Sequence, residues 1–447
     1  MARFRFPHPL ALLVLCTLLA AAASHVLPAG RYDRRDDSAT GRSVVVAGTF
    51  HWVDPSPVGL MQAMVAIPKG MVDAASVIFL VFLVGGAFTV VERTGALAAA
   101  VERLVRGLQD RGVLVIPACC LAFGLGGILE NMQEEIIAFV PLLLLLNRRL
   151  GFDSLTAVAM SIGAAAVGAA FSPINPFQVG IAQKLAELPP GSGGTFRMVP
   201  LVVALALWAG FTMRYALRTR TAPEPIALGG RDALGPRSLV VLVAVGAAFV
   251  MLVVGLQSLG WGFDELSAIF FVMGVTAGIV GGLGVGGTAE AFVDGFRSMA
   301  FAGLLIGFAR AIFVVLDQGQ ILDTIVHGLF TPLAGLPALP AAVGMFVVHT
   351  AVHFPVPSVS GQAVLTLPIL VPLADLLGLS RQVAVLAYQY GAGLCELLTP
   401  TNGALMAMLA AAGVGYERWL GFALKAYAAL VVLSIAALGA AILLGVS

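Results

Sequence analysis

The sequence predicts an all-α polytopic membrane protein, built as an inverted-topology repeat with two re-entrant helical hairpins and two broken transmembrane helices. Three observations predict it. The chain of 447 residues is 59% hydrophobic and only 11% charged, whereas soluble domains carry about 25% charged residues. Two long apolar segments break at the same kind of motif. Leu150-Gly151 runs on to Ser172-Pro173-Ile174-Asn175, and Leu377-Gly378 runs on to Thr399-Pro400-Thr401-Asn402, and the two align without a gap. Two further apolar stretches have polar centres that a simple crossing would not tolerate.

The first expected span is 8–28. Arg3 and Arg5 ahead of the apolar run Leu10 to Ala23, with Ala21-Ala22-Ala23-Ser24 at its end, imitate a signal peptide. The apolar character continues through His25-Val26-Leu27, so an uncleaved first helix is expected. The stretch 29–70 is rich in Arg and Asp and too mixed to span. Spans follow at 71–93, 198–216, 238–259, 265–285, 299–318 and 419–445, judged against the roughly 20 apolar residues that cross a bilayer. The broken helices are 154–185 and 381–413.

The hairpins are 113–147 and 338–375, each too long for one crossing. Their centres are Gly127-Ile128-Leu129-Glu130-Asn131-Met132-Gln133-Glu134-Glu135 and Pro357-Ser358-Val359-Ser360-Gly361-Gln362. Irregular backbone survives at membrane depth only where protein or a wet cavity satisfies it. Arg103, Arg106 and Arg111 precede the first hairpin, and Arg148 and Arg149 follow it. Both its ends therefore read as cytoplasmic by the positive-inside rule. The second hairpin follows Asp317 and Asp323, with no Lys or Arg between Arg310 and Arg381, and reads as opening from the outer side. The linker 217–237 carries Arg218, Arg220, Arg231 and Arg237 and reads as cytoplasmic. The halves are thus 1–216 and 238–447. The repeat extends back to Val90-Val91-Glu92-Arg93-Thr94-Gly95 and Val314-Val315-Leu316-Asp317-Gln318-Gly319, each followed by an amphipathic helix, Ala96 to Leu108 and Gln320 to Phe330.

Proline at each break lacks an N–H and clashes with the carbonyl one turn earlier. Half-helix ends and freed carbonyls at such a break can meet an ion or a charged substrate. Ser172, Asn175, Thr399, Thr401 and Asn402 add neutral oxygens and amide donors there. At the tips, Glu130, Asn131, Gln133, Glu134 and Glu135 face the neutral set Ser358, Ser360, Gly361 and Gln362. Carboxylates at depth read as functional, which makes Glu134 or Glu135 a candidate carrier of a coupled proton. Arg310, in mid-span, requires a partner: Glu396, a tip glutamate or a substrate carboxylate.

Several readings are set aside. A net charge of +1 excludes nucleic acid as a partner. Cys16, Cys119, Cys120 and Cys395 lie in apolar segments and read as packing residues, with no disulfide framework. Gly282-Leu283-Gly284-Val285-Gly286-Gly287 fits G-x-G-x-x-G without the strand-then-helix context, and reads as close helix packing. His349 and His353 lie one turn apart, a spacing that can bind zinc, but the glutamate of the protease motif is absent, and packing or hydrogen bonding is the expected role. No metal site and no organic cofactor are expected, and the absence of a Walker motif argues against ATP-driven transport.

Gly180-Ile181-Ala182-Gln183 after Asn175-Pro176-Phe177, the run Ser360-Gly361-Gln362-Ala363, and Pro400-Thr401 followed by Gly403 resemble the YfcC-type basic amino acid antiporters. These are grouped with the C4-dicarboxylate anaerobic carriers in the ion transporter superfamily. The resemblance extends to His8-Pro9-Leu10 and Pro28-Ala29-Gly30. It implies a homodimer, a scaffold region with a mobile transport region, and elevator-like movement in the bacterial inner membrane. This chain departs from the family pattern at Ala392, where an Asp is frequent between the glycines, at Glu396, where Asn is frequent, and at Asn402, where Ser is frequent. Ala392 and Glu396 share a helical face.

The expected function is secondary transport of a small solute coupled to Na+ or H+, not enzymatic catalysis. The excess of carboxylates over Arg310 favours amino acids, basic ones first, over C4-dicarboxylates or short-chain carboxylates. Two less favoured readings are a membrane-embedded metallohydrolase using His349 and His353, and a passive channel.

Overall fold

The structure, a computed structural model, describes residues 8–37, 42–46, 48–100, 103, 109–223, 235–259 and 261–446. It is dominated by helices. Seven of them are long and apolar enough to cross a membrane, among the described residues.

Helix α1 (Pro9–Val26) opens on a proline, whose missing N–H costs nothing at a helix start. The 29–70 stretch is not featureless, and the all-α expectation needs a correction here. It folds into β1 (Gly30–Arg31), β2 (Arg34–Asp37), β3 (Arg42–Val45) and β4 (His51–Trp52). These pair antiparallel as β1 with β4 and β2 with β3. The segment is held down by buried Asp323, which accepts from Tyr32 N at 3.0 Å and pairs with Arg34 at 2.9 Å. Burial, and then the charge of Asp323, push the Tyr32 phenol up to about 12.

Helix α2 (Leu60–Asp73) precedes α3 (Ala75–Arg93), so the expected span 71–93 begins at a break near Ala74. The hairpin regions appear as paired helices. The first is α4 (Val115–Glu130), a turn through Asn131, a 3-10 turn at Glu135–Phe139 and α5 (Val140–Leu150). Asn131 takes the left-handed conformation at φ 55°, which ends α4 at the polar tip. The helix expected over 96–108 is described only in part, and the side chains of Arg106, Arg111 and Glu130 lie outside the described residues.

Helix α6 (Ser154–Ala170) is capped by Asp153, whose carboxylate accepts from Thr156 N at 2.9 Å. A π-turn at Ala159–Gly163 interrupts its ladder, and Trp208 Nε1 donates to Ala159 O at 2.8 Å. The chain then breaks, resumes as a π-turn at Pro176–Gly180 and ends the broken helix in α7 (Ile181–Leu185). Helix α8 (Gly194–Thr219) follows, and most of the linker, 224–234, lies outside the described residues. In the second half come α9 (Pro236–Ser258), α10 (Phe263–Val280), α11 (Gly284–Gln318) and α12 (Leu322–Phe330). The second hairpin is α13 (Ala338–His353) and α14 (Val359–Leu376). The second broken helix is α15 (Arg381–Cys395) and α16 (Gly403–Ala411), before the final α17 (Tyr416–Leu443).

Two expectations fail for identifiable reasons. Helix α11 has 35 residues and starts well before the expected 299. Its first half is polar and glycine-bearing, so it lacks the hydropathy of a span while remaining helical. The run 282–287 is a turn through Gly282 that leads into the first turn of α11, rather than a packing surface. Gly282 has φ +87° and Gly284 φ +69°, and a Cβ on Gly284 or Gly286 would meet nothing within 4 Å. Close packing falls elsewhere. A Cβ on Gly127 would lie 2.0 Å from Ala165 O, and one on Gly168 2.2 Å from Gly124 O. Hairpin one therefore lies directly on α6. Gly127→Ala is expected to lower stability by about 1–3 kcal/mol through overpacking, read as a drop in the thermal midpoint of the detergent-solubilised protein.

The apolar interior forms two clusters. A large one joins α1, both hairpins, both broken helices, α8, α17 and the C-terminal part of α11. A smaller one lies among α3, α9, α10 and the N-terminal part of α11.

Candidate functional site

Each break is sealed by side chains that the motif itself supplies. In the first, Ser172 Oγ donates to Ile128 O at 2.9 Å and accepts from Asn175 N. Asn175 Oδ1 accepts from Phe177 N and Gln178 N, which caps the resumed helix, while its Nδ2 donates to Gly127 O at 2.7 Å. In the second, Asn402 Oδ1 accepts from Leu405 N at 3.1 Å, so it caps α16 in the same way. Thr399 and Thr401 hydroxyls meet at 2.9 Å, and Thr401 Oγ1 donates to Phe354 O at 2.6 Å. Each break is thus tied to the first arm of its own hairpin.

The tips reach across to the other half. Gln133, at the tip of hairpin one, donates through Nε2 to Glu396 Oε2 and accepts from Asn402 Nδ2 at 3.0 Å. Asn402 Nδ2 also donates to Glu396 Oε2 at 2.8 Å. Helix α14 packs against the resumed helix at Pro176–Gly180. Asn131 Oδ1 accepts from Gln178 Nε2 at 2.8 Å.

These elements border a cavity of about 690 Å³. Of the residues the sequence singles out, Asn131, Glu134, Glu135, Ser358, Ser360, Gly361, Glu396, Thr401 and Asn402 line it. Ser172, Asn175, Gln362 and Thr399 do not. All four are fully buried and act behind the wall. Ser358 caps α14, accepting from Gly361 N at 3.2 Å. The size suits a small ligand, since ligand pockets run from about 300 to 1,000 Å³.

Arg310 lines the cavity, but its partner is Asp73, at 2.5 Å, rather than Glu396 or a tip glutamate. The cause is backbone proximity. A Cβ on Gly70 would lie 2.6 Å from Gly307 O and from Ala311 N, so α2 and α11 touch and bring Asp73, one turn on, to Arg310. Arg310 also stacks over Phe313 at 4.6 Å. In the sequence Asp73 reads only as a residue at a span end, and nothing there points to the pair. Nor does the sequence point to Arg34, which β2 carries to the cavity.

His349 and His353 are fully buried, and the amide of Gln362 lies between their rings. That geometry serves hydrogen bonding, as expected, and separates the two rings that a zinc site would need to share. A second buried network was not anticipated. Arg197, with no exposed surface, donates to Gln389 Oε1 at 3.2 Å, Gln382 Oε1 at 2.9 Å and Ser192 O at 2.9 Å. Gln389 in turn donates to Ser172 O at 2.7 Å.

Long apolar helices, two broken helices and a polar cavity between them define a multi-pass membrane transporter. The sequence profile described as C4-dicarboxylate anaerobic carrier (DcuC) matches residues 6–443. The chain belongs to this DcuC family of membrane transport proteins, which are not enzymes, and its features fit the bacterial inner membrane. It is 32% identical to the Escherichia coli (strain K12) protein named "Putative basic amino acid antiporter YfcC", over 94% of this chain and 92% of that one. It is 28% identical to an uncharacterized protein of Haemophilus influenzae, over 85% of this chain and 78% of that one. Among solved structures, it is similar to the Alcanivorax borkumensis YdaH transporter (TM-score 0.46, 18% identity, 98% of this chain and 99% of that one). It is also similar to Neisseria gonorrhoeae MtrF (TM-score 0.43, 19% identity, 97% and 94%).

Proposed function

We propose that the chain is a secondary transporter of amino acids, basic ones first, working as an ion-coupled exchanger. The carrying observation is the charge of the cavity. Among the described residues its wall holds four carboxylates, Asp73, Glu134, Glu135 and Glu396, against two arginines, Arg34 and Arg310. Both arginines already pair with carboxylates, Asp323 and Asp73. A cationic or zwitterionic solute suits a wall in which acidic residues outnumber arginines, whereas a dianion is repelled by the excess. The name of the Escherichia coli relative supports the same substrate class.

In this reading the hairpins enter from opposite faces, and 1–216 and 238–447 are inverted halves around the cavity. The separate core among α3, α9 and α10 supports a scaffold in a homodimer, against which the rest moves in an elevator-like step. Proteoliposomes holding the purified chain are expected to accumulate labelled arginine, ornithine or lysine against an unlabelled internal pool of the same solute. Accumulation of succinate with no basic amino acid moved would overturn the substrate class and favour dicarboxylate transport. Crosslinking in native membranes is expected to trap a species of twice the monomer mass.

A further inference from the structure

We propose that His353 and Glu396 together form a buried proton-binding site, and that its proton and a cationic substrate compete for one negative charge. This rests on the transport reading above and names its coupled ion.

The inference follows from which atoms can donate. His349 O is a carbonyl and can only accept, so the amide lying 2.8 Å from it must present Nε2 of Gln362. Gln362 Oε1 then faces His353 Nδ1 at 3.0 Å, and that nitrogen must carry a hydrogen. A neutral His353 consequently has a bare Nε2. That atom is fully buried and lies 3.3 Å from Glu396 Oε1, at ion-pair distance but without hydrogen-bond alignment, and among the described residues it has no hydrogen-bond partner.

The other carboxylate oxygen is already supplied. Asn402 is oriented by Leu405 N, so its Nδ2 points to Glu396 Oε2, where Gln133 Nε2 also donates. Without one more proton, the buried Nε2 lone pair faces a carboxylate oxygen of the cavity wall, and that nitrogen is left uncompensated among the described residues. One proton on Nε2 turns that repulsion into a buried imidazolium–carboxylate pair of no net charge.

The groups around the pair favour this. Glu134 and Glu135 from hairpin one share the cavity with Glu396, and Arg310, Asp73 and Arg34 face it from α11, α2 and β2. His349 lies one turn before His353, against Tyr388 of α15. Its Nδ1 accepts from Gln362 at 3.0 Å, so its own proton is on Nε2 and the ring is neutral. Cys395 adjoins Glu396 and donates to Thr350 O at 3.4 Å. Among the described residues that line the cavity, Arg310 and Arg34 are the fixed cations, and both pair with other carboxylates, so neither offsets Glu396.

When the proton leaves, Glu396 is left as a charge that a basic side chain or an α-ammonium group can neutralise. When it returns, that attraction is lost. Such competition gives exchange of cation for proton, and Gln133 carries the charge state of the second half to the tip of the first.

The test uses the full chain, labelled with 15N-histidine and reconstituted in nanodiscs and in liposomes. Of its six histidines, one is expected to show both ring nitrogens protonated at neutral pH. That signal is expected to vanish in His353→Gln and to become a neutral ring in Glu396→Gln. An unprotonated His353 Nε2 in the wild type at low pH, or the same His353 signal in wild type and Glu396→Gln, overturns the site. His353→Gln covers the case in which Glu396→Gln does not fold, because retention of the signal in it also overturns the assignment. In liposomes with a trapped pH dye, an inward arginine gradient is expected to drive protons out, and Glu396→Gln is expected to lose this response. Arginine transport with no proton movement overturns the proposal. An intact imidazolium signal with no arginine movement instead supports the site and overturns the substrate reading.

Discussion

Asn402→Ala is expected to abolish transport while leaving the protein inserted and soluble in detergent. One side chain makes three kinds of contact. It caps α16, donates to Glu396 and donates to Gln133 at the tip of the opposite half. Losing the cap costs about 1 kcal/mol, and losing a hydrogen bond to a charged group about 1.5–3 kcal/mol. The sum is smaller than the total stability of a typical domain, yet it is concentrated where the halves meet. The measurement is initial uptake of labelled arginine in proteoliposomes, normalised to inserted protein. Wild-type uptake by Asn402→Ala would reduce the break to a structural kink. Asn175→Ala is expected to lose transport too, but with a larger loss of stability. Its partners are its own helix and Gly127 O, where hairpin one is docked on α6.

Arg197→Met is expected to be strongly destabilising although Arg197 lies outside the cavity wall. The guanidinium is fully buried and bonded to Gln382, Gln389 and Ser192. Gln389 then holds Ser172 O at the first break. Removing the donor leaves the amide oxygens of Gln382 and Gln389 without their partner, each costing about 1–3 kcal/mol when buried, while Ser192 O keeps its bond from Gln183 Nε2 at 2.8 Å. A loss of about 3 kcal/mol or more is expected as a lower thermal midpoint, with faster proteolysis at the Pro189–Gly193 loop. Arg197→Lys is expected to rescue only partly, because an ammonium cannot reproduce the flat fork that meets three acceptors. An unchanged midpoint for Arg197→Met would show that the network carries no weight.

Much of the site was legible because it is written locally. Hydroxyl-Pro-x-Asn declares the break within four residues, whereas the capping of the resumed helices by Asn175 and Asn402 is added by the structure. The tips were legible because polar residues interrupt apolar runs. What the local pattern could not separate is a side chain that lines the cavity from one that braces its wall. Ser172 and Thr399 occupy matching positions and both are buried behind the wall, whereas Thr401, two residues on, reaches the cavity. The partner of Arg310 was illegible for a related reason. It depends on the contact of Gly70 with Gly307, two glycines far apart in sequence. The strands at 30–52 were hidden because the pairs β1–β4 and β2–β3 are very short, and the segment is anchored by Asp323 from the other half.

Hydropathy, proline and capping chemistry are properties of neighbouring residues, so the sequence by itself determined the membrane class, the helices and the two breaks. Which groups face the cavity, and which partner each buried donor and acceptor finds, depend on contacts between residues far apart in the chain. The tertiary structure alone decided these. Burial there removes water as the alternative partner, and each donor must then be matched to a named acceptor.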